Sequence, residues 1–242
     1  MEVEMKAKVT LEQMAKFLVE NLSKYIENVD LIIKKDRYFK HKDIKGRPDN
    51  QIRIRENFRL NTFDRKSQPV FVIPLRRIEI DLNDEESVKE MFEVFFDWDH
   101  NWFDVKEDRP NDYYAELTLK NKHTYKNGTE VNTEHEERFS NKQIELFEIL
   151  LSSIECIEYF SKEKRSIGWY ISRLSITDPA RFVKLHCELV MVGGKGPYLE
   201  TETIVDDPDM ANEAAKEIRA FYEKEFGITE FDARSWAEII EA

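Results

Sequence analysis

Four segments with the alternating pattern of a β-strand each carry two side chains of the same charge, two residues apart. These pairs are Glu2/Glu4, Arg53/Arg55, Glu134/Glu136 and Glu200/Glu202. Because residues i and i+2 of a strand lie on the same face, each pair holds two like charges close together. A solvent-facing surface favours mixed signs, since like charges side by side are unfavourable. The segregation therefore predicts a ligand that compensates both clusters, with a hard cation for the carboxylates and phosphate oxygens for the arginines.

The rest of the chain mixes further strands with amphipathic helices. The Asn-Gly turn at 126–128 lies between alternating runs over 113–120 and 130–139, which predicts a hairpin. Apolar residues at helical spacing predict helices over 141–160 and about 210–226. Alternating runs elsewhere predict strands over 30–38, 51–58, 70–73, 77–82, 166–175, 181–192 and 198–205. Strands outnumber helices and are joined by short turns, which favours an α+β fold with helices packed outside an antiparallel barrel or sheet.

Composition limits the classes of function and the number of domains. The 242 residues contain no Gly/Ser-rich or Pro-rich linker and no repeat, so we expect one domain over 1–242. A net charge of −12, from 37 basic and 49 acidic side chains, argues against nucleic-acid or anionic-membrane partners, because phosphate groups would be repelled over most of the surface. A small anion can still bind where basic residues gather.

Cysteine use and the N-terminus predict the compartment. Cys156 and Cys187 are flanked by apolar residues, so we expect buried free thiols in a reducing environment. Charges at the first residues leave no apolar signal region, and no run approaches the roughly 18 to 20 apolar residues of a membrane span. The expected location is the cytoplasm.

The ordered set of charged motifs resembles the CYTH, or triphosphate tunnel metalloenzyme, superfamily. The matching elements run from residue 2 to about 205 and keep the order and spacing of that group. They are Glu2-Val3-Glu4-Met5-Lys6, Arg53-Ile54-Arg55, Lys120, Glu134-His135-Glu136, Lys164-Arg165 and Glu200-Thr201-Glu202. The resemblance implies a closed eight-stranded antiparallel β-barrel whose lumen, the triphosphate tunnel, holds a triphosphate together with Mg²⁺ or Mn²⁺.

The resemblance also assigns a role to each matched residue. It implies metal ligands at Glu2, Glu4, Glu134, Glu136, Glu200 and Glu202. It implies phosphate contacts from Lys6, Arg53, Arg55, Lys120, Lys164 and Arg165. The reaction itself would depend on Glu4, Lys6, Glu136 and Glu202.

Two positions depart from the pattern of the group. The group usually has an aspartate about ten residues before the last Glu-x-Glu, whereas Glu188 lies twelve residues before Glu200, which leaves its role open. The hairpin after Lys120 is long, so Lys122 is an alternative phosphate ligand.

Three functions follow from this resemblance. The first is metal-dependent hydrolysis of tripolyphosphate, ATP or thiamine triphosphate by a monomer or homodimer. The second is a class IV adenylate cyclase that converts ATP to cyclic AMP and pyrophosphate. The third is a polyphosphate or nucleotide sensor without catalysis, which the carboxylates in three motifs argue against, because a simple anion binder has no use for them.

Overall fold

Eight strands of the computed structural model form a closed antiparallel barrel. The structure describes residues 1–21, 26–48, 50–64, 72–73, 76–77, 81, 83–97, 112–125 and 127–242. The barrel strands are β1 (Glu2–Lys8), β2 (Ile26–His41), β3 (Asn50–Asp64), β6 (Asp112–Thr124), β7 (Glu130–Phe139), β8 (Cys156–Leu174), β9 (Phe182–Val192) and β10 (Lys195–Ile204). Around the barrel they follow the order β1-β10-β9-β8-β2-β3-β6-β7. The predicted closed barrel of an α+β fold is confirmed.

Five α-helices, two single-turn 3-10 helices and a small two-stranded sheet complete the described elements. The α-helices are α1 (Leu11–Asn21), α2 (Glu85–Phe96), α3 (Ile144–Ser153), α4 (Ala211–Phe226) and α5 (Trp236–Glu241). The small sheet pairs β4 (Val72–Ile73) with β5 (Arg76–Arg77). The strands predicted over 70–73 and 77–82 fall partly outside the described residues. Among the residues that the structure describes, no helix is both long and apolar enough to cross a membrane.

The apolar core lies outside the barrel, between the strands and the helices. On β1, Val3 and Met5 are fully buried and belong to one cluster with Phe17 of α1, Phe92 of α2 and Phe221 of α4. The alternate β1 residues carry charge and point into the barrel. Period-two alternation thus turns charged side chains inward and apolar side chains outward wherever a strand is covered by a helix. A smaller apolar cluster packs α3 on the outer face of β2 and β3.

The predicted helix over 141–160 is wrong at its C-terminal end. The α3 helix stops at Ser153, and Glu155 adopts a left-handed backbone with φ of 60°. The chain then enters β8 at Cys156, which pairs with His41 of β2. Because the apolar residues after Ser153 can satisfy either a helical or a strand pattern, pairing with the long β2 decides the outcome. Strand β8 is consequently about ten residues longer at its start than the predicted strand over 166–175.

The predicted hairpin at the Asn-Gly turn is confirmed. Strands β6 and β7 pair in register from Thr124↔Glu130 to Ala115↔Phe139. Gly128 has a φ of 82°, and a Cβ atom there would lie 2.6 Å from the Cβ of Phe231. Both the backbone conformation and this close approach require glycine.

Candidate functional site

The inward faces of the eight strands enclose a charged lumen. It has a volume of about 350 Å³, which is the scale of a small-ligand site. Carboxylates and cations line it in similar numbers, and most are paired with each other. The carboxylates include Glu2, Glu4, Glu116, Glu130, Glu134, Glu136, Glu188, Glu200 and Glu202, and the cations include Lys34, Arg53, Arg55, Lys120, Lys122, Lys162 and Lys164.

Three carboxylates converge where β1 meets β10. One oxygen from each of Glu2, Glu4 and Glu202 lies within 4.8 Å of the others. The register places Glu4 directly opposite Glu202. Burial and then the charge of Glu202 raise the pKa of Glu2 to about 7. Burial and then the charge of Glu130 raise the pKa of Glu4 well above its ordinary value. Burial and the neighbouring carboxylates therefore disfavour the fully ionised form of this group.

This carboxylate group suits a divalent metal ion. Mg²⁺ and Mn²⁺ prefer oxygen ligands, and three partly buried carboxylates at this separation can share one ion. A neighbouring side chain supports one of them, since His186 Nδ1 lies 2.7 Å from Glu202 Oε1. A cation would favour the ionised forms of Glu2 and Glu4, which burial and then the neighbouring carboxylates oppose.

Strands β2, β8, β9 and β10 supply two buried lysines and two glutamates in alternation. Lys164 Nζ lies 2.6 Å from Glu188 and also pairs with Glu200, and Lys34 pairs with the same Glu188. Although burial favours the neutral acid, Lys164 lowers the pKa of Glu200 to about 2. Glu188 and Glu200 therefore remain ionised beside the lysines.

A second buried network joins β2, β3 and β8. Arg55 donates two hydrogen bonds to Asp36, at 2.6 and 2.9 Å, in a bidentate arrangement. Lys162 Nζ lies 3.6 Å from the same carboxylate. Burial lowers the pKa of Lys162 to about 8, against the attraction of Asp36. Arg53 lies on the same face and donates to Glu136 at 2.9 Å.

The basic residues near the β6–β7 hairpin are also paired. Lys120 bonds to Glu134, and its pKa is raised because the carboxylates of Glu2 and Glu4 outweigh burial, which acts in the opposite direction. Lys6 Nζ lies 3.2 Å from Glu130, which Lys122 also contacts at 2.6 Å. Both lysines of the hairpin, Lys120 and Lys122, thus face the lumen.

The structure brings together half of the predicted metal ligands. Glu2, Glu4 and Glu202 form the carboxylate group, whereas Glu134, Glu136 and Glu200 lie elsewhere on the lumen wall. Each of these three is held by a cation: Lys120, Arg53 and Lys164, respectively. Of the predicted phosphate ligands, Lys6, Arg53, Arg55, Lys120 and Lys164 face the lumen.

The predicted place of Arg165 among the phosphate ligands is wrong. Its side chain is on the outer face of β8 and donates to the backbone carbonyls of Phe95 and Asp97, at the end of α2. Because neighbouring strand residues point to opposite faces, Lys164 and Arg165 cannot both reach the lumen. The inward basic pair at spacing two is Lys162/Lys164.

Several lumen residues were missed in the sequence. Lys162/Lys164 fits the like-charge criterion, but the helix predicted over 141–160 hid the start of β8. Lys34 and Asp36 have opposite signs, so a search for like-charged pairs passes over them. Glu188, whose role was open, faces the lumen and pairs with Lys34 and Lys164.

Comparison with known proteins gives a match in solved structures. No protein-family profile and no curated protein matches the chain. The PH1819 protein of Pyrococcus horikoshii OT3 matches with a TM-score of 0.61 and 17% identity, over 100% of this chain and 98% of that chain. A candidate adenylate cyclase of Vibrio parahaemolyticus matches with a TM-score of 0.59 and 11% identity, over 100% and 98%. A conserved hypothetical protein of Pyrococcus furiosus gives 0.51 and 19%, over 99% and 100%. The chain therefore shares the fold of these proteins, and the barrel that its resemblance to the triphosphate tunnel metalloenzymes implies is confirmed.

Proposed function

We propose that this chain binds a divalent metal ion and a triphosphate in the lumen and hydrolyses a phosphoanhydride bond. The observation that carries the proposal is the carboxylate group of Glu2, Glu4 and Glu202 beside a wall of buried lysines and arginines. A hard cation would bind the carboxylate group, and phosphate oxygens would bind the lysines and arginines. A metal–triphosphate complex presents both charges in one ligand.

The carboxylate group would hold the metal ion. When bound, Mg²⁺ or Mn²⁺ supplies positive charge to the phosphate oxygens and activates the attacking oxygen. The ion would also let Glu2 and Glu4 stay ionised at neutral pH, which their present surroundings oppose. His186 would keep Glu202 turned towards the ion through its hydrogen bond.

The basic wall would bind and orient the phosphates. Lys164, Arg53 and Arg55 now pair with lumen carboxylates, so phosphate oxygens would replace part of those contacts. Because these cations are buried, their positions need little rearrangement and act in a medium of low polarity. Water would add to the terminal phosphorus as the bridging P–O bond breaks, giving orthophosphate and a shortened product.

Adenylate cyclisation is the second candidate, because the chain shares its fold with the candidate adenylate cyclase of Vibrio parahaemolyticus. In that reaction the ribose 3′-hydroxyl attacks the α-phosphorus and pyrophosphate leaves. The triphosphate would then need the opposite polarity in the lumen, together with a place for the nucleoside. A sensor that binds the triphosphate without catalysis is the third candidate.

One assay separates the three candidates. The purified protein is incubated with Mg²⁺ or Mn²⁺ and with tripolyphosphate, ATP or thiamine triphosphate, and both orthophosphate and cyclic AMP are measured. Orthophosphate without cyclic AMP supports hydrolysis, whereas cyclic AMP with pyrophosphate contradicts it. Binding without either product indicates the sensor.

The matched variants for this assay are Glu4→Gln and Glu12→Gln. Glu4 belongs to the carboxylate group, whereas Glu12 is exposed on α1. We expect Glu4→Gln to abolish turnover and weaken Mn²⁺ binding in calorimetry, and Glu12→Gln to change neither. Full activity in Glu4→Gln would remove this carboxylate group from the reaction.

A further inference from the structure

The C-terminal segment lies across one end of the barrel. In an eight-stranded ring with this strand order, β10 and β3 are on opposite sides. The indole of Trp236 in α5 donates to Glu200 of β10. Arg47, in the loop that leads into β3, donates to Ser235 and Glu241 at the two ends of α5. The short helix and these side-chain contacts thus bridge the two sides of the opening.

Further contacts hold this segment in place. The backbone N–H of Asp232 donates to the carbonyl of Lys6 at the end of β1. Ser235 and Glu238 form a reciprocal capping box that fixes the start of α5. Ile239 is 4% exposed and packs with Tyr198 of β10. The hydrogen bonds and the buried side chain of Ile239 hold the C-terminal segment in place as part of the lumen wall.

The side chain of Trp236 borders the lumen beside the basic wall. Its Nε1 atom lies 2.6 Å from Glu200 Oε1, and Lys162 Nζ lies 5.8 Å from the centre of its ring. The ring also meets Tyr198 edge to face, with centroids 5.2 Å apart. On β8, Lys164 and then Lys162 face the lumen, and Trp236 lies next to Lys162 at the end nearest α5.

Among the described residues, the side chains at the other end of the lumen are the more exposed ones. There the side chains of Arg138, Glu136 and Glu202 are 68%, 43% and 35% exposed. At the end near α5, the side chains of Lys6 and Glu130 are only 3% and 4% exposed. A ligand that enters the lumen would therefore come from the side of Glu136 and meet Trp236 last.

We infer that Trp236 is a stop that limits the length of the phosphate chain in the lumen. This inference rests on the proposed function, because it concerns which phosphate chain the same site accepts. A linear chain that reaches Lys162 has the indole ring in front of it, so additional phosphate units have no space in that direction. The site is accordingly selective for a triphosphate over long-chain polyphosphate. Trp236 acts on specificity and takes no part in bond cleavage.

The test compares Trp236→Ala with Trp236→Phe. Affinities for tripolyphosphate and for long-chain polyphosphate are measured by calorimetry with Mg²⁺, along with kcat/KM if turnover occurs. Removing the ring should raise the ratio of polyphosphate to tripolyphosphate affinity by about tenfold or more, as expected when steric exclusion is relieved. Phenylalanine keeps an aromatic ring at the stop, so its ratio should remain near that of the unchanged protein.

A second variant keeps the test decisive if Trp236→Ala fails to fold. Arg47→Gln removes both tethers of α5 at an exposed position and should shift the ratio in the same direction. The inference is overturned if the ratio of polyphosphate to tripolyphosphate affinity is unchanged in a variant that folds and still binds tripolyphosphate. The proposed hydrolysis fails separately, through absence of orthophosphate from the unchanged protein, and the affinity ratio still tests the stop in that case.

Discussion

Replacing Asp36 by asparagine removes the charge from the most completely buried carboxylate of the lumen. Its side chain is 0% exposed and receives two hydrogen bonds from Arg55, at 2.6 and 2.9 Å, while Lys162 lies 3.6 Å away. The amide would leave the buried guanidinium without its counter-charge. Breaking a buried ion pair by removing one partner costs about 3–5 kcal/mol. For a protein of this length, that corresponds to a fall in melting temperature of roughly 6–20 °C.

The same variant makes a prediction for pH. Although burial favours the neutral acid, Arg55 holds the pKa of Asp36 well below its ordinary value in the folded state. A group with a lowered folded pKa contributes stability above its unfolded pKa of about 3.9 and loses that contribution as the pH falls towards the folded pKa. The difference in unfolding free energy between the unchanged protein and Asp36→Asn should therefore be largest at pH 7 and should decrease below about pH 4.

Urea denaturation followed by circular dichroism at pH 7 and pH 3 measures both effects. The control is Glu148→Gln, the same chemical change at a pair with Arg37 whose side chains are 37% and 26% exposed. An exposed pair contributes less than about 1 kcal/mol, so the control should melt close to the unchanged protein. If Asp36→Asn also loses less than about 1 kcal/mol, the ion pair of Asp36 with Arg55 does not stabilise the folded protein.

Three further predictions concern positions inside and outside the lumen. Lys164→Gln should weaken tripolyphosphate binding in calorimetry by about 10- to 100-fold, because a charged contact is lost. Arg165→Gln should lower the melting temperature but leave the affinity for tripolyphosphate unchanged. Equal losses of affinity in the two variants would contradict the outward position of Arg165. Glu217→Gln should cost about 1–3 kcal/mol in urea denaturation, because this buried carboxylate accepts bonds from the loop after β8. Burial raises the pKa of the Cys187 thiol to about 12 and shields it from reagents. At pH 8 a thiol reagent should therefore modify Cys156 in the folded protein and Cys187 only after unfolding in urea. Rapid modification of both cysteines in the folded protein would contradict the burial of Cys187.

The strands could be predicted because the chain alternates so regularly between charge and apolar residues. Closure of the barrel is less local, since it depends on β1 pairing with two strands that are distant in sequence. Glu4 lies opposite Glu130 on one side and opposite Glu202 on the other. Alternation alone leaves an open sheet and a closed barrel equally acceptable, so the resemblance to a known group was needed to choose. The helix error at 154–160 has the same origin, because only the partner strand β2 decides between two local patterns.

The candidate site could be predicted as a set of inward-facing charges but not as a set of contacts. Like-charged pairs at spacing two identified Glu2/Glu4 and Arg53/Arg55 correctly as lumen residues. Which carboxylates gather and which pair with cations depends on cross-strand register, and a one-residue shift exchanges the two faces of a strand. That rule separates Lys164 from Arg165 and could have been applied to the sequence if the start of β8 had been recognised.

The distribution of charge among the described lumen residues explains why one part of the lumen suits a metal ion better than the rest. Lys164, Lys34 and Arg55 already neutralise the carboxylates of Glu188, Glu200 and Asp36, so these acids have lowered pKa values and gain little from a further cation. Burial, and then the charges of neighbouring carboxylates, raise the pKa values of Glu2 and Glu4 in the same lumen. A divalent ion therefore gains most at the Glu2/Glu4/Glu202 group, and a phosphate chain gains most along the lysines and arginines. The carboxylate group and the row of cations lie side by side in the lumen but differ in how far their charges are neutralised. This difference, more than the number of charges, favours a metal–triphosphate complex over either ion alone.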